Sequence, residues 1–175
     1  MKKTLIILGH PNIKESVANK TICEELKELK NIEIRNIAEL YPDFKIDAKA
    51  EQEALLNADV IIFQYPIYWL NMTPILKQWL DSVFSYGFAF GSNGYKLENK
   101  EMLVSVTVGS GKEGYLGDIM SKILFNMEAT AKFCKIKYLE PVVTFGANYT
   151  AGISKKEPIV ELAKLHAKTI LSRIK

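Results

Sequence analysis

Three short stretches of the chain carry residue types that could bind a ligand, and each follows a short apolar run. The first reads GHPNIKESVAN from Gly9, the second reads YPIYWL from Tyr65, and the third reads TVGSGKEGY from Thr107. The first stretch is not the GxGxxG motif of dinucleotide-binding domains, a Walker A loop or the Cys-x5-Arg loop of small phosphatases. These stretches therefore indicate another kind of site.

The first stretch has features of an anion site. His10 lies just beyond the apolar run, and Ser16 and Asn19 lie in the first turn of a predicted helix. The free backbone N–H groups and the dipole of a helix attract phosphate at that position. The alternative is that Ser16 only caps the helix and His10 only turns the chain, since caps of this type are common. This stretch alone leaves both interpretations open.

The aromatic residues of the second stretch are hard to explain by core packing. Pro66 disfavours a helix at Tyr65, so an extended backbone is predicted from Pro66 to Leu70. Tyr68 and Trp69 would then have no obvious interior to face. A planar heteroaromatic ligand could use the backbone amides along its edge and an aromatic side chain against its rim or face.

The third stretch is rich in glycine. Gly109, Gly111 and Gly114 allow the backbone to approach a ligand closely, and Tyr115 ends the stretch with a hydroxyl group. A glycine-rich surface turn is the alternative. Taken together, one phosphate site, one aromatic segment and one glycine-rich segment fit a mononucleotide with a flat head group, which favours a flavin over adenine alone.

Alternating strands and helices would position these stretches at one edge of a sheet. Five apolar runs predict strands, namely Thr4–Leu8, Ile32–Ile37, Val60–Tyr65, Met102–Val108 and Tyr138–Phe145, and Pro141 interrupts the last of them. Helical patterns between the runs predict right-handed crossovers. The expected fold is α/β, a flavodoxin-like three-layer sandwich with a five-stranded parallel sheet in the order 2-1-3-4-5. Ligands bind such sheets at the carboxyl ends of the strands, between the first and the third.

Residues typical of helix N-termini predict where three further helices begin. Asp47 is a capping residue, and Thr73 followed by Pro74 places a cap before a proline at the first helical position. Ser154 with Glu157 resembles a capping box.

Composition narrows the class of protein. The chain has 175 residues, 48% of them apolar and 25% charged, and a formal net charge of +3, which falls short of the basic stripe of a nucleic-acid binder. One domain over residues 1–175 is expected. Cys23 and Cys134 lack metal-ligand spacing and are interpreted as small core residues. No apolar segment reaches the roughly 18 residues that span a bilayer, so a cytoplasmic location is predicted.

The three stretches resemble a known family, the flavodoxin-fold NAD(P)H dehydrogenases (quinone), which includes DT-diaphorase and short bacterial relatives of the potassium-efflux ancillary and general stress protein type. The long motif FQYPIYWLNMTPILKQWLDSVFSYGFAFG carries most of the resemblance. It implies an FMN cofactor, with FAD as the alternative, NADPH or NADH as reductant, and no metal. It also implies a homodimer whose sites lie at the interface.

The resemblance assigns site residues. Cofactor contacts are implied for His10, Ser16, Val17 and Asn19 at the phosphate, for Pro66, Ile67, Tyr68, Trp69 and Leu70 along the ring system, and for Thr107, Val108 and Gly109 at its other polar edge. Tyr115 is implied at the catalytic pocket, and Phe88 and Phe90 are implied to cover the flavin of the partner subunit. DT-diaphorase pairs its loop tyrosine with a nearby histidine, which this chain lacks between His10 and His166. His166 itself is interpreted as a helix-surface or packing residue.

The function implied is two-electron reduction of a quinone-like acceptor by NAD(P)H, through ping-pong hydride transfer at flavin N5. Two alternatives remain open. One is a flavodoxin-type electron carrier, although such carriers tend to be strongly acidic. The other is a regulatory flavoprotein subunit that contacts a potassium-efflux transporter.

Overall fold

Six β-strands form one sheet in the computed structural model, which describes residues 2–115 and 117–175. The strands are β1 (Thr4–Leu8), β2 (Ile32–Asn36), β3 (Val60–Pro66), β4 (Glu101–Thr107), β5 (Lys137–Tyr138) and β6 (Val142–Thr144). All pairs are parallel, and the order is β2-β1-β3-β4-β5, with β6 also paired to β4. The predicted flavodoxin-like α/β fold and the order 2-1-3-4-5 are confirmed.

The fifth position of the sheet holds two short strands where the sequence predicted one run. Tyr138 of β5 pairs with Met102 at the start of β4, and Thr144 of β6 pairs with Thr107 at its end. Pro141 lies between the two strands and has no backbone N–H to donate to the ladder. The interruption expected at this proline therefore divides the edge strand.

Six α-helices cover the two faces of the sheet in the described part of the chain. They are α1 (Ala18–Lys27), α2 (Ile37–Leu40), α3 (Ala48–Leu56), α4 (Pro74–Val83), α5 (Ile119–Phe133) and α6 (Lys156–Arg173). Ile22 of α1 and Ile170 of α6 belong to one buried cluster, whereas Trp79 of α4 and Met127 of α5 belong to the other. The sheet is thus buried on both faces, as its continuous apolar strands require.

Side chains along β3 alternate between these two clusters. Phe63 and Tyr65 lie under α4 and α5, whereas Ile62 lies under α1 and α6. Gln64 hydrogen-bonds to Asn19 of α1 and is 1% exposed, an uncommon place for an amide. Such a group needs hydrogen-bond partners inside the protein.

A buried carboxylate joins α3 to its neighbours. Glu51 is 0% exposed and accepts hydrogen bonds from Arg35 Nε at 2.9 Å, from the Tyr41 hydroxyl at 2.6 Å and from Trp79 Nε1 at 2.9 Å. Burial and then this carboxylate raise the pKa of Tyr41 to about 12. A charge removed from water in this way is tolerable because it is paired and hydrogen-bonded.

The expected helix starts are partly confirmed. Asp47 caps α3 by accepting from the N–H of Ala50 at 3.0 Å. Pro74 begins α4, but the Thr73 hydroxyl donates to the carbonyl of Gly9 at 2.6 Å and does not cap. The capping box at Ser154 is wrong, because α6 begins at Lys156 and no side chain caps it.

The two cysteines, Cys23 and Cys134, are buried and unpaired, which confirms their interpretation as small core residues. Within the described residues, no helix combines the length and the apolar character needed to cross a membrane.

Candidate functional site

An open cleft of about 430 Å³ lies at the carboxyl edge of the sheet, where β1 and β3 are neighbours. The loops that follow β1, β3, β4 and β6 all contribute to it. Its lining residues are His10, Pro11, Asn12, Glu15, Ser16, Val17, Asn19, Pro66, Ile67, Tyr68, Thr107, Gly109, Ala147, Asn148 and Tyr149. The fold therefore brings together the three stretches that the sequence singled out.

The N-terminus of α1 forms one end of the cleft. Ser16 Oγ accepts a hydrogen bond from the backbone N–H of Asn19 at 3.1 Å, so it caps this turn. The side-chain amide of Asn19 is buried and donates to Thr107 Oγ1 at 2.9 Å and to Ser16 Oγ at 3.4 Å. Helices leave their first N–H groups without an internal partner, and their dipole favours negative charge there. This end of the cleft therefore suits an anion.

His10 contributes a neutral ring to the same end. Burial lowers the pKa of His10 to about 4, and its Nδ1 accepts the backbone N–H of Asn12 at 3.1 Å. A neutral imidazole whose Nδ1 accepts carries its proton on Nε2. The His10 and Tyr68 rings form a T-shaped pair, with centroids 6.5 Å apart. His10 can thus donate one hydrogen bond but brings no positive charge.

Charge in the cleft is sparse. Over residues 2–115 and 117–175, no lysine or arginine lines it, and Glu15 is its one charged residue. The same residues contain no cluster of three or more His, Cys, Asp or Glu side chains that could hold a metal ion. A phosphate here would rest on helix N–H groups and hydroxyls, the arrangement that serves anions at helix N-termini.

The segment after β3 differs from the extended backbone predicted for it. Tyr68 and Asn71 exchange two backbone hydrogen bonds of 3.0 and 3.1 Å, which close a two-residue turn. Trp69 and Leu70 at the centre of this turn have φ of 45° and 61°. The left-handed region costs a residue with a Cβ roughly 1–2 kcal/mol. Strain of this kind often marks a functional segment.

The turn also exposes its apolar side chains. Trp69 is 99% exposed and Leu70 is 56% exposed, and neither lines the cleft, whereas Pro66, Ile67 and Tyr68 do. A tryptophan this accessible leaves a large apolar surface in water, which is typical of a ligand or partner contact. The core packing that fails to explain Trp69 in the sequence fails in the structure too.

The end of β4 separates two of the residues expected at the site. Gly109 lines the cleft beside Asn148, but Val108 is 1% exposed and belongs to the core. Both backbone groups of Val108 are also used, since its N–H donates to Thr144 and its carbonyl accepts from Ala147. The expectation that Val108 faces a ligand is therefore not supported.

The other expected residues lie outside the cleft lining. Tyr115 ends a short 3₁₀ turn and packs against Phe145, with ring centroids 5.4 Å apart. Phe90 is half-buried and packs against Phe133, whereas Phe88 is 4% exposed in the core of its own chain. Burial removes Phe88 from the pair expected to reach a partner subunit.

The loop after β6 is the part of the site that sequence reasoning missed. Ala147, Asn148 and Tyr149 line the cleft, and the N–H of Gly146 donates to the carbonyl of Ser110 at 2.8 Å, which joins this loop to the one after β4. The sequence did contain a signal for a ligand-binding loop here, because a glycine, an asparagine and a tyrosine follow the last apolar run. The carboxyl end of that strand lies at the same edge as the others.

His166 is a second residue whose importance the sequence understated. It is 2% exposed, which excludes the helix-surface alternative, and burial lowers its pKa to about 4. Its Nε2 lies 2.6 Å from Ser105 Oγ, and its Nδ1 lies 2.7 Å from Thr144 Oγ1. A lone histidine on a helix gave no sign of these partners, which come from β4 and β6.

Comparisons with known proteins agree with the fold. A family model described as a flavodoxin-like fold matches residues 2–171. The chain is 40% identical over 155 residues to general stress protein 14 of Bacillus subtilis (strain 168), covering 86% of this chain and 89% of that protein. It is 44% identical over 142 residues to the glutathione-regulated potassium-efflux system ancillary protein KefF of Enterobacter sp. (strain 638), covering 78% and 80%.

Solved structures agree as well. General stress protein 14 of Treponema denticola, in complex with FMN, has a TM-score of 0.85 and 32% identity, covering 97% of this chain and 96% of that one. The NADPH-quinone reductase of P. pentosaceus has a TM-score of 0.80 and 25% identity, covering 95% and 96%. The chain therefore belongs to the flavodoxin-like fold family, together with the general stress protein, potassium-efflux ancillary protein and quinone reductase relatives that its motifs resemble.

Proposed function

We propose that this chain is a flavin-dependent NAD(P)H:quinone oxidoreductase that binds FMN in the cleft. One observation carries the proposal: a single cleft joins the N-terminus of α1 to Pro66–Tyr68 and to the end of β4. It offers an anion site at one end and the Tyr68 ring at the other, as a flat ligand with a phosphate requires. The FMN complex of the Treponema relative and the reductase activity in the name of the P. pentosaceus relative support it.

The chain's residues would divide the work along the cleft. The first turn of α1, with Ser16, Val17 and Asn19, would hold the phosphate, and neutral His10 would donate from Nε2. Pro66–Tyr68 would border the ring system within the cleft, with Trp69 and Leu70 on the exposed turn next to them, and Thr107 and Gly109 would face its other polar edge. FMN is preferred to FAD because the chain resembles the short members of the family.

The bound flavin would supply the hydride chemistry, accepting hydride at N5 from NADPH or NADH and passing it to a quinone-like acceptor in ping-pong fashion. The protein would orient the two reactants in turn. Backbone N–H groups of the Gly109–Gly111 turn would act as fixed donors to negative charge on the ring system. Tyr115 would shape the acceptor pocket without a histidine partner.

The proposal extends to a homodimer. Three rings form what we term the aromatic surface, defined as Tyr86, Phe90 and Phe133, with ring centroids 5.9 Å apart for Tyr86–Phe90 and 5.3 Å apart for Phe90–Phe133. Tyr86 is 67% exposed and Phe133 is 62% exposed. Adjacent exposed rings of this kind are typical of an interface. In the dimer, Phe90 would be the residue that reaches the cofactor of the partner subunit.

Steady-state kinetics with menadione test the proposed reaction. The purified protein, reconstituted with FMN, is mixed with NADPH or with NADH, and oxidation of the nicotinamide is followed with and without the quinone. We expect quinone-dependent oxidation with parallel lines in double-reciprocal plots, as ping-pong kinetics require. Flavin-loaded protein that leaves both nicotinamides unoxidised would refute the enzyme and leave the cofactor assignment standing.

A second candidate is a regulatory subunit of a potassium-efflux transporter, favoured by the relative named KefF. Co-purification of the tagged chain with a potassium-efflux protein would support this role. The oxidoreductase and the regulatory subunit would share the flavin site. They differ in whether that site serves mainly for catalytic turnover or for binding to the transporter. A flavodoxin-type electron carrier is disfavoured by the net charge of +3.

A further inference from the structure

A line of buried hydrogen bonds leads from α6 to the cleft. We term it the buried polar network and define it as His166, Ser105, Gln64 and Asn19. These side chains are 2%, 0%, 1% and 2% exposed, respectively. Buried polar groups cost free energy unless they are paired, so four of them in contact require a consistent set of donors and acceptors.

The direction of each hydrogen bond follows from Gln64. Its Nε2 donates to Asn19 Oδ1 at 2.6 Å, and its Oε1 accepts the hydroxyl proton of Ser105. Ser105 has one hydroxyl proton, which it donates to Gln64. Its oxygen must therefore accept from His166 Nε2 at 2.6 Å. His166 therefore carries its proton on Nε2. Its Nδ1 accepts from the hydroxyl of Thr144 at 2.7 Å.

At the cleft end of the network, the same hydrogen-bond directions leave the hydroxyl protons of Ser16 and Thr107 without an acceptor in the network. The side-chain N–H groups of Asn19 donate to Thr107 Oγ1 and to Ser16 Oγ, and the backbone N–H of Asn19 donates to Ser16 Oγ as well. Both hydroxyl oxygens thus act as acceptors toward the protein. Their protons remain to be donated elsewhere, and both residues line the cleft.

The opposite direction is self-consistent but gives a different cleft. If His166 carried its proton on Nδ1, it would accept from Ser105, both amides would be reversed, and Asn19 would turn its oxygen toward Ser16 and Thr107. The hydroxyl groups of Ser16 and Thr107 would then donate their protons to Asn19. Toward a ligand they would present oxygen lone pairs, which accept hydrogen bonds, instead of donors. The tautomer of one buried histidine therefore selects between a donor cleft and an acceptor cleft.

We propose that His166, acting through the buried polar network, is a positioning residue that holds the hydroxyl groups of Ser16 and Thr107 as hydrogen-bond donors toward the cleft. The ligand chemistry that this arrangement selects is a group rich in acceptors, an oxyanion or a ring carbonyl. This inference rests on the proposed function for its probe, FMN, which presents both groups. The network itself is a property of the protein alone.

Nitrogen NMR of the free protein tests the network without any ligand. The chain has two histidines, so His10→Asn assigns the ring signals by elimination. We expect His166 to show a single neutral tautomer protonated on Nε2 near neutral pH. A signal for the Nδ1-protonated form, or an average of the two forms, would overturn the proposal.

Affinity for FMN tests the consequence at the cleft. His166→Gln keeps an N–H that can donate to Ser105, whereas His166→Leu cannot donate. We expect FMN titrations to show near wild-type affinity for His166→Gln and about five- to tenfold weaker binding for His166→Leu, the worth of roughly one hydrogen bond. Val104→Ala is the control for lost packing, because Val104 is fully buried on β4 but belongs to the opposite cluster.

Each outcome has a distinct meaning. If wild-type protein binds no FMN, the proposed function is refuted, and the NMR measurement of the His166 tautomer still tests the buried polar network. If it binds FMN and His166→Leu binds equally well, this inference falls alone. If His166→Leu fails to fold, Ser105→Ala breaks the same network with the loss of one oxygen, and its FMN affinity is expected to fall by a similar factor.

Discussion

His166 couples the titration of one residue to the stability of the whole protein. Burial lowers its pKa from the ordinary 6.5 to about 4. As pH falls below 6.5, the unfolded chain takes up a proton that the folded protein resists until about pH 4, so the stabilising contribution is present above this window and lost within it. A pKa shift of this size corresponds to a contribution of about 3 kcal/mol to the free energy of unfolding above this pH window.

We therefore expect the free energy of unfolding to fall more steeply between pH 6.5 and pH 4 in the wild-type protein than in His166→Gln, which does not titrate there. Urea denaturation at closely spaced pH values measures both slopes. His10 is present in both proteins, so its own titration cancels in the comparison. Parallel slopes would show that His166 is protonated as easily in the folded state as in the unfolded one.

Leu70 holds a strained backbone, and that strain predicts a gain on substitution. With φ of 61°, Leu70 lies in the region that glycine adopts without cost. We expect Leu70→Gly to raise the free energy of unfolding by about 1 kcal/mol, because the second position of such a turn favours glycine. Leu70→Ala is the control, since it removes the same side chain but keeps the strain. Chemical denaturation compares the two, and equal stabilities would refute strain at this turn.

Single residues mark the limit of prediction from sequence at this scale. The stretch from Thr107 to Gly109 was correctly placed at the sheet edge, yet Val108 turns into the core between two residues that line the cleft. Phe88 and Phe90 are likewise close in sequence but differ in burial. Val108 continues the alternation that places Met102, Val104 and Val106 in the same cluster, so strand periodicity could have assigned it to the core. The loop that holds Phe88 and Phe90 has no such period, so the burial of its side chains depends on tertiary contacts.

At the scale of elements, Glu51 binds α3 to β2 and α4. Removing Glu51 would leave the buried Nε1–H of Trp79 without its acceptor and Arg35 paired with Glu33 alone, at a cost of about 3 kcal/mol. We expect Glu51→Ala to lose stability of that order in thermal and urea unfolding. Glu53→Ala on the same helix is the matched control, because Glu53 is exposed, and it is expected to change stability by less than about 0.5 kcal/mol. Similar losses in both variants would contradict the account.

The elements themselves were largely predictable, and the exceptions have physical causes. Four of the five apolar runs became single strands because they are short and rich in β-branched residues, and Pro141 divided the fifth because proline cannot donate to the ladder. An extended backbone was predicted from Pro66 to Leu70, and the turn from Tyr68 to Asn71 was not predicted because Trp69 and Leu70 are not residues that usually adopt positive φ. The loop after β6 was not predicted at the site because a ligand was expected between the first and third strands, whereas β6 pairs with β4.

At the scale of the whole molecule, the aromatic surface predicts self-association. We expect the wild-type protein to sediment as a dimer and Phe133→Glu to shift it toward monomer, because a buried charge in the interface would be costly. Leu165→Glu on α6 is the matched control, since Leu165 and Phe133 are each 62% exposed. Sedimentation equilibrium measures all three proteins. A Phe133→Glu variant that dimerises as tightly as wild type would place the interface elsewhere.

The central claim concerns the cleft as a whole, in which the ends of four strands together form a site for one flavin mononucleotide. Titration of the cofactor-free protein with FMN, followed by absorbance in the flavin bands and by mass identification of the bound molecule, tests this claim most directly. The account predicts saturable binding of about one FMN per chain, weakened by Ser16→Ala and Asn19→Ala, each of which removes a group that lines the cleft. A folded protein that binds neither FMN nor FAD under any reconstitution condition would contradict it.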